Sequence, residues 1–232
     1  MWHLPSTWYK RWRIMLSLGF LCMIALALFV QTGLVDTTFQ ALGQNFFLLS
    51  SAANGIEMNT AAQTVSANLN ASQRLVRISQ LDPAQYSSTS EYDTWAYSAC
   101  STASMTEVFD AYGDHLRITD VLQVEANIGE ITPSQGLLRP EGIANTAAQF
   151  GFKTNWGNSW SLDAVIATAN GGNPVIVSFP PDRYEGGHLL VVVGGDSNNV
   201  YLADSSLWNR RVLSRGQFLA WWEGFAAVVT PK

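Results

Sequence analysis

The apolar residues of this chain form three kinds of pattern: an unbroken run near the N-terminus, helical spacing in the middle and strand-like runs toward the C-terminus. The unbroken run covers residues 14–30 and reads IMLSLGFLCMIALALFV, without a charge. As a helix it would extend roughly 25 Å, close to the hydrocarbon core of about 30 Å. We therefore predict a transmembrane signal anchor over residues 14–34.

The basic residues of the N-terminus predict how this segment is oriented. Lys10, Arg11 and Arg13 precede it, and every acidic residue follows from Asp36 onward. Under the positive-inside rule, residues 1–13 are then cytoplasmic and the C-terminal part lies outside, as a single-pass protein of the cell membrane. The small residues at 25–27 leave a second interpretation open, in which a signal peptide is cleaved and the protein is secreted.

The stretch that follows, residues 35–90, lacks a sustained helical or alternating pattern. It is rich in Ala, Ser, Asn, Gln and Thr, which is typical of a spacer. Residues 91–232 are then predicted to form the globular domain. The expected fold class is α+β, because helical patterns come first in this domain and strand patterns later.

The first helix of the domain is predicted to begin at Cys100. Met105, Phe109 and Tyr112 recur at helical spacing after it, and Gly113 stands where a helix C-terminus is expected. Further helices are predicted over residues 119–126, 140–150 and 162–169, and strands over residues 174–179, 188–193 and 200–204. A helical segment capped by Ser214 and an apolar run at 225–229 close the chain.

Composition and charge exclude several function classes. The chain is 47% hydrophobic and 13% charged, so it is not disordered. Ten basic and 18 acidic residues follow residue 35, a net charge of −8, which argues against binding nucleic acid. Cys22 lies in the apolar run, which leaves Cys100 as a single exported thiol that is either buried or reactive.

Three residue types suggest nucleophilic catalysis in the domain. Cys100 at a helix N-terminus faces the positive end of the helix dipole, which favours the thiolate. His188 begins an apolar strand after two glycines, whereas His115 lies in a polar loop. Asp204 ends the next strand and would return to His188 if the two strands pair. A carboxylate there would orient the imidazole as in other triads.

The block CSTASM at residues 100–105, the Gly187-His188 strand and the Asp204 turn resemble the bacteriocin-processing (double-glycine) cysteine peptidase domains of the papain-like superfamily. The resemblance covers residues 92–230. It implies a helical lobe that carries Cys100, an antiparallel β lobe that carries His188 and Asp204, and a cleft between them that cleaves peptide bonds.

Two departures from the family pattern concern the neighbourhood of the nucleophile. Family members carry Cys-Gly-Pro where this chain has Cys100-Ser101-Thr102, and a Gln six residues before the cysteine where this chain has Thr94. That Gln donates to the oxyanion. Its absence at this position leaves the role to Thr94, to Tyr97 or to a backbone N–H.

Two functional hypotheses follow. The first is an exported, membrane-tethered cysteine peptidase that forms an acyl-enzyme on Cys100, and the same parts could perform amide transfer. The second is an inactive or weak papain-like module that binds a peptide or a cell-wall component. No cofactor or metal motif occurs, so the expected partners are a peptide or protein substrate and the membrane. The oligomeric state is left open.

Overall fold

The structure is a computed structural model that describes residues 69–232. The predicted cytoplasmic N-terminus and the transmembrane segment at 14–34 lie outside these residues. Within residues 69–232, no helix is both long and apolar enough to cross a membrane.

Helices predominate in the first half of the described part of the chain and strands in the second half. The α-helices are α1 (Ala71–Arg74), α2 (Thr89–Trp95), α3 (Cys100–Tyr112), α4 (Ile118–Asn127), α5 (Glu141–Gln149), α6 (Leu162–Asn170) and α7 (Arg215–Trp221). The strands are β1 (Ile131–Thr132), β2 (Gly136–Leu137), β3 (Phe152–Gly157), β4 (Val175–Phe179), β5 (His188–Gly195), β6 (Asn199–Ala203), β7 (Val212–Ser214) and β8 (Ala226–Pro231).

The central element of the fold is a six-stranded antiparallel sheet in the order β3-β8-β4-β5-β6-β7. Alternate residues of its strands face opposite sides, as the pleat requires. Val177 and Leu190 pack with α6 and α7 in one core, and Ile176 and Val191 pack with α3 and α5 in another. Helices therefore cover both faces of the sheet, and a third cluster joins α2, α3 and α4.

Local signals in the sequence explain where the predicted helices begin and end. Gly113 adopts a left-handed conformation (φ 114°) directly after α3, which a residue without a side chain allows at little cost. Ser161 accepts a hydrogen bond from the Ala164 N–H at the start of α6. The predicted strands at 174–179, 188–193 and 200–204 correspond to β4, β5 and β6, with differences of one or two residues.

The folded unit begins earlier than the predicted boundary at residue 91. Residues 71–90 form α1, a 3₁₀ helix (Pro83–Gln85) and the start of α2. Tyr86 is buried in the cluster with α2, α3 and α4, and Arg77 donates hydrogen bonds to the carbonyl oxygens of Asp204 and Ser206. This part of the predicted spacer therefore packs on the domain, because its few apolar and polar anchors find partners far along the chain.

Candidate active site

Cys100 is the first residue of α3 and one of the residues that line an open cleft. Its side chain is partly exposed, whereas the nine residues that follow it are all buried. The N-terminus of a 13-residue helix offers unpaired N–H groups and a positive dipole end to a thiolate. The helix thus presents the thiol to the cleft while its own body stays in the core.

Two hydroxyl groups attach the first turn of α3 to α4. Ser101 Oγ donates to Glu125 Oε1 at 2.9 Å, and Thr102 Oγ1 donates to Glu125 Oε2 at 2.5 Å. All three side chains are buried, and burial raises the pKa of the Glu125 carboxyl to about 7. Ser101 and Thr102, which stand where the family pattern has Gly-Pro, therefore fix the start of the nucleophile helix through their bonds to Glu125.

His188 and Asp204 are brought together by the β5–β6 hairpin. The register pairs Val191 with Ala203, so the end of β6 returns to the start of β5. His188 Nε2 lies 2.8 Å from Asp204 Oδ1, and both side chains are buried. With Nε2 on the carboxylate, the Nδ1 atom is left for a second partner of the imidazole, and the Cys100 thiol lines the same cleft.

The charges of this pair stabilise each other. Burial opposes the charged imidazolium, but the hydrogen bond to Asp204 and the nearby Cys100 side chain outweigh it and raise the pKa of His188 to about 9. Burial also opposes ionisation of Asp204, yet hydrogen bonds from His188, Ser206 and Arg210 hold the pKa of this carboxyl below its ordinary value. The site therefore favours an imidazolium beside a carboxylate at neutral pH.

Arg210 holds the far side of the Asp204 carboxylate. Its backbone N–H donates to Asp204 Oδ2 at 3.0 Å, and its guanidinium lies 3.5 Å from the same oxygen. The guanidinium is placed by three aromatic rings, at 5.3 Å from the Tyr184 ring centroid and 5.4 Å from those of Trp208 and Trp221. Such cation–π contacts restrain the arginine beside the carboxylate.

The cleft in front of these residues has a volume of about 420 Å³. Its walls are the turn before α3, the β1–β2 hairpin, the end of β4 and the residues 186–189 that lead into β5. Cys100 and His188 both line it. Among the described residues, the one other ionisable side chain in the lining is that of Tyr97. The lining next to the thiol is therefore almost without charged groups.

Gln80 also lines the cleft, although the sequence interpretation placed it in the spacer. It is buried, and its Nε2 donates to the Ala96 carbonyl at 2.9 Å while its Oε1 accepts from Ser205 Oγ at 3.0 Å. These partners determine which end of the amide is nitrogen. The sequence did not indicate this residue, because the family pattern places the Gln six residues before the cysteine, whereas 19 residues that include α2 lie between Gln80 and Cys100.

Thr94 does not occupy the position expected of an oxyanion donor. It lies on the exposed side of α2, its hydroxyl donates to the Ser90 carbonyl in the preceding turn, and it is not a cleft residue. Tyr97 does line the cleft, but its side chain is 87% exposed at the rim. Six residues before the cysteine the chain is helical, so the side chain there points to solvent rather than to the thiol.

The comparisons with known proteins agree with this architecture. The profile of the family described as "Peptidase_C39 like family" matches residues 74–229. The chain belongs to this family. The match of the Peptidase C39-like family begins before the predicted domain boundary and includes Gln80. No curated protein matches the chain.

Solved structures of C39 peptidases are similar in fold. A presumed C39-like peptidase from Bacillus anthracis has a TM-score of 0.50 at 14% identity, over 71% of this chain and 98% of that one. The peptidase domain of Streptococcus ComA, a bi-functional ABC transporter of a quorum sensing pathway, has a TM-score of 0.49 at 22% identity, over 58% and 93%. A double glycine motif protease from an AMS/PCAT transporter, in complex with the leader peptide, has a TM-score of 0.47 at 14% identity, over 71% of this chain and 96% of that one.

No group of three or more His, Cys, Asp or Glu residues suited to a metal ion occurs within residues 69–232. The chemistry that the described residues can perform is that of a thiol and an imidazole in one cleft, a carboxylate bonded to the imidazole, and a glutamine amide in the cleft lining. This arrangement suits nucleophilic attack on a carbonyl carbon followed by transfer of the acyl group.

Proposed function

We propose that this chain is a cysteine peptidase that hydrolyses peptide bonds through Cys100, His188 and Asp204. The observation that carries the proposal is the buried imidazole of His188, which bonds Asp204 on one nitrogen and interacts with the Cys100 thiol in the same cleft. Membership of a peptidase family supports the choice of peptide bonds over other acyl compounds.

The reaction begins from the ion pair in which the proton of the Cys100 thiol already lies on His188 Nδ1, in keeping with the raised pKa of His188. The thiolate attacks the carbonyl carbon of the substrate, and the imidazolium then gives its proton to the leaving amine. This leaves a thioester on Cys100. A water molecule, deprotonated by His188, attacks the thioester and releases the acid product. Asp204 holds the tautomer and stabilises the imidazolium during both steps.

Gln80, rather than Thr94, is the proposed oxyanion donor. One hydrogen of its Nε2 is used by the Ala96 carbonyl, and the other remains for an oxygen in the cleft. A donor of this kind stabilises the tetrahedral intermediate because its hydrogen bond strengthens as negative charge develops. The role that the family assigns to a Gln is thus proposed for this chain from a different spacing.

The alternative of an inactive binding module has lost its main support. It depended on the absence of a Gln near the nucleophile, and Gln80 lies in the cleft. A titratable pair of His188 and Asp204, together with a partly exposed thiol, is what an enzyme requires and a binding surface does not.

The proposed substrate is a peptide in extended conformation. The cleft is open along the turn before α3 and the β1–β2 hairpin, and a solved neighbour, a double glycine motif protease, is in complex with the leader peptide.

For the location we propose a membrane-tethered domain outside the cell, on the basis of the apolar run at 14–30 and the basic residues before it. Digestion of intact cells by an added protease should degrade the domain; protection would contradict this location.

The decisive experiment for the function uses the full chain and its two cysteines. The chain is incubated with a mixed peptide library, and new termini are identified by mass spectrometry. We expect the wild type and the matched control Cys22→Ala to cleave peptides. In Cys100→Ala the rate of cleavage should fall at least about 10⁴-fold. Equal cleavage by Cys100→Ala would contradict the proposal, and so would a folded wild type that cleaves nothing.

A further inference from the structure

The residues 75–81, here called the strap, carry Gln80 into the cleft without forming a helix or a strand. The strap is fastened by single contacts. The Gln80 N–H donates to the Ser205 carbonyl at 2.9 Å, and the Arg77 guanidinium donates to the carbonyl oxygens of Asp204 and Ser206. Between these two anchors, the N–H of Ile78 has a side chain as its acceptor.

That acceptor is Glu107, a fully buried carboxyl group. Glu107 Oε1 accepts from the Ile78 N–H at 2.7 Å, and the side chain is fully buried on α3. Glu107 lies seven residues after Cys100, two turns along the same helix face. Its Oε2 atom has no partner among the described residues. One rigid helix thus carries both the nucleophile and the anchor of the strap.

The electrostatic surroundings keep this carboxyl group neutral near pH 7. Burial raises the pKa of Glu107 to about 8, against the opposing effects of the Ile78 N–H and of Arg77. The titratable and charged groups that face it are Arg77 on the strap and Asp204 and His188 at the end of the sheet. A neutral acid still accepts the hydrogen bond from Ile78, so anchoring does not require its ionisation.

We propose that Glu107 is a positioning residue that holds Gln80 at the correct distance from Cys100 by anchoring the strap to the nucleophile helix. The inference rests on the proposed function. Only Ser79 lies between Ile78 and Gln80, so a displacement of the Ile78 backbone also moves the Gln80 amide. An apolar side chain would avoid the cost of burying a carboxyl group, but it would leave the Ile78 N–H without its acceptor.

The test compares two substitutions of Glu107 in the full chain. Glu107→Gln keeps an acceptor of the same length, and we expect a kcat within about 3-fold of the wild type. Glu107→Met removes the acceptor, and kcat should fall roughly 10²-fold with little change in KM, as for loss of an oxyanion donor. If Glu107→Met does not fold, Glu107→Asp replaces it, because it shortens the reach to Ile78.

A double-mutant cycle separates positioning from general loss of stability. In a Gln80→Ala background, Glu107→Met should lower kcat by no more than about 2-fold further, because its target is already absent. The matched control is Met105→Ala, a fully buried change on the same helix, whose effect on kcat should be small and independent of Gln80. Additive losses for Glu107→Met and Gln80→Ala would overturn the inference.

Hydrogen exchange of the Ile78 amide tests the anchor without turnover. We expect slow exchange in the wild type and Glu107→Gln, and exchange at least about 10-fold faster in Glu107→Met. Unchanged exchange in Glu107→Met would overturn the inference even if the peptidase is active. If the wild type cleaves no peptide, the proposed function fails, and this measurement still decides whether Glu107 anchors the strap.

Discussion

The site is built from two regions that are held in different ways, the β5–β6 hairpin and the strap. The hairpin places His188 and Asp204 by a ladder of backbone hydrogen bonds, in which the register shifts once, between Val192 and Gly194. The strap places Gln80 by isolated contacts: the Ile78 N–H with Glu107, the Gln80 N–H with the Ser205 carbonyl, and the Gln80 carbonyl and side-chain amide with Tyr86, Ala96 and Ser205. The bonds of a ladder repeat along two strands, whereas each contact of the strap is made once. We therefore expect the two regions to respond differently to substitution.

The largest effect should come from the carboxylate at the end of the hairpin. Asp204→Ala removes the acceptor that orients His188 and stabilises its charge, and we expect kcat/KM to fall by about 10³-fold or more. The matched control is Asp196→Ala at the opposite end of the same hairpin, where the carboxylate caps a turn and accepts from the Tyr201 hydroxyl but does not line the cleft. An equally large fall of kcat/KM in Asp196→Ala would mean that the substitutions lower activity by destabilising the hairpin rather than by removing a residue of the site.

Removal of the strap's amide should have the next largest effect. Gln80→Ala is expected to lower kcat by about 10²- to 10³-fold with KM nearly unchanged, because the donor acts on the tetrahedral intermediate. Steady-state kinetics on one cleaved peptide measure this, with Gln73→Ala on the exposed side of α1 as the control. A rise in KM at constant kcat would instead assign Gln80 to substrate binding.

A smaller effect concerns the pH dependence of stability. The pKa of Glu107 is raised from 4.5 to about 8 by burial, so the folded state holds a proton that the unfolded state releases. The stability linked to this group is complete below about pH 4.5 and declines as the pH rises to about 8.

Glu107→Gln removes this dependence, so its melting temperature relative to the wild type should increase by about 3 °C or more between pH 5 and pH 8. The pKa values of Glu125 and His188 are also raised, so the stability linked to these groups falls with rising pH as well. That contribution is the same in both proteins and cancels in the difference between their melting temperatures. A constant difference between the two proteins across this range would show that Glu107 is ionised throughout.

The smallest effect is expected at Thr94. Its hydroxyl is bonded to the preceding helical turn on the exposed side of α2, so Thr94→Ala should leave kcat and KM within about 2-fold of the wild type. A loss of kcat comparable to that of Gln80→Ala would return the oxyanion role to this position.

The hairpin and the strap also differ in how far they could be predicted from the sequence. Apolar periodicity and end signals predicted the positions of α3 to α6 and of β4, β5 and β6, and the approach of His188 to Asp204 followed from pairing neighbouring strands. These are properties of continuous segments. The catalytic roles of Cys100, His188 and Asp204 remain a proposal.

The elements that were not predicted lack such local patterns. The strand β3 alternates weakly and includes polar residues such as Lys153 and Asn155, and α1 and α2 are short helices without an apolar face. The place of Gln80 depends on contacts such as that of Arg77 with the Asp204 carbonyl, 127 residues away. No window of neighbouring residues contains that information.

The strap has its own anchors on both sides of Ile78, and this determines which part of the chain can vary in length. The residues between Gln80 and Cys100 include a 3₁₀ helix and α2, but Gln80 and Cys100 each have anchors outside this interval, so insertions or deletions in its exposed turns need not move either residue. Loop closure becomes only slightly more costly as such a segment lengthens. A search for related peptidases should therefore treat the interval between the amide donor and the nucleophile as variable.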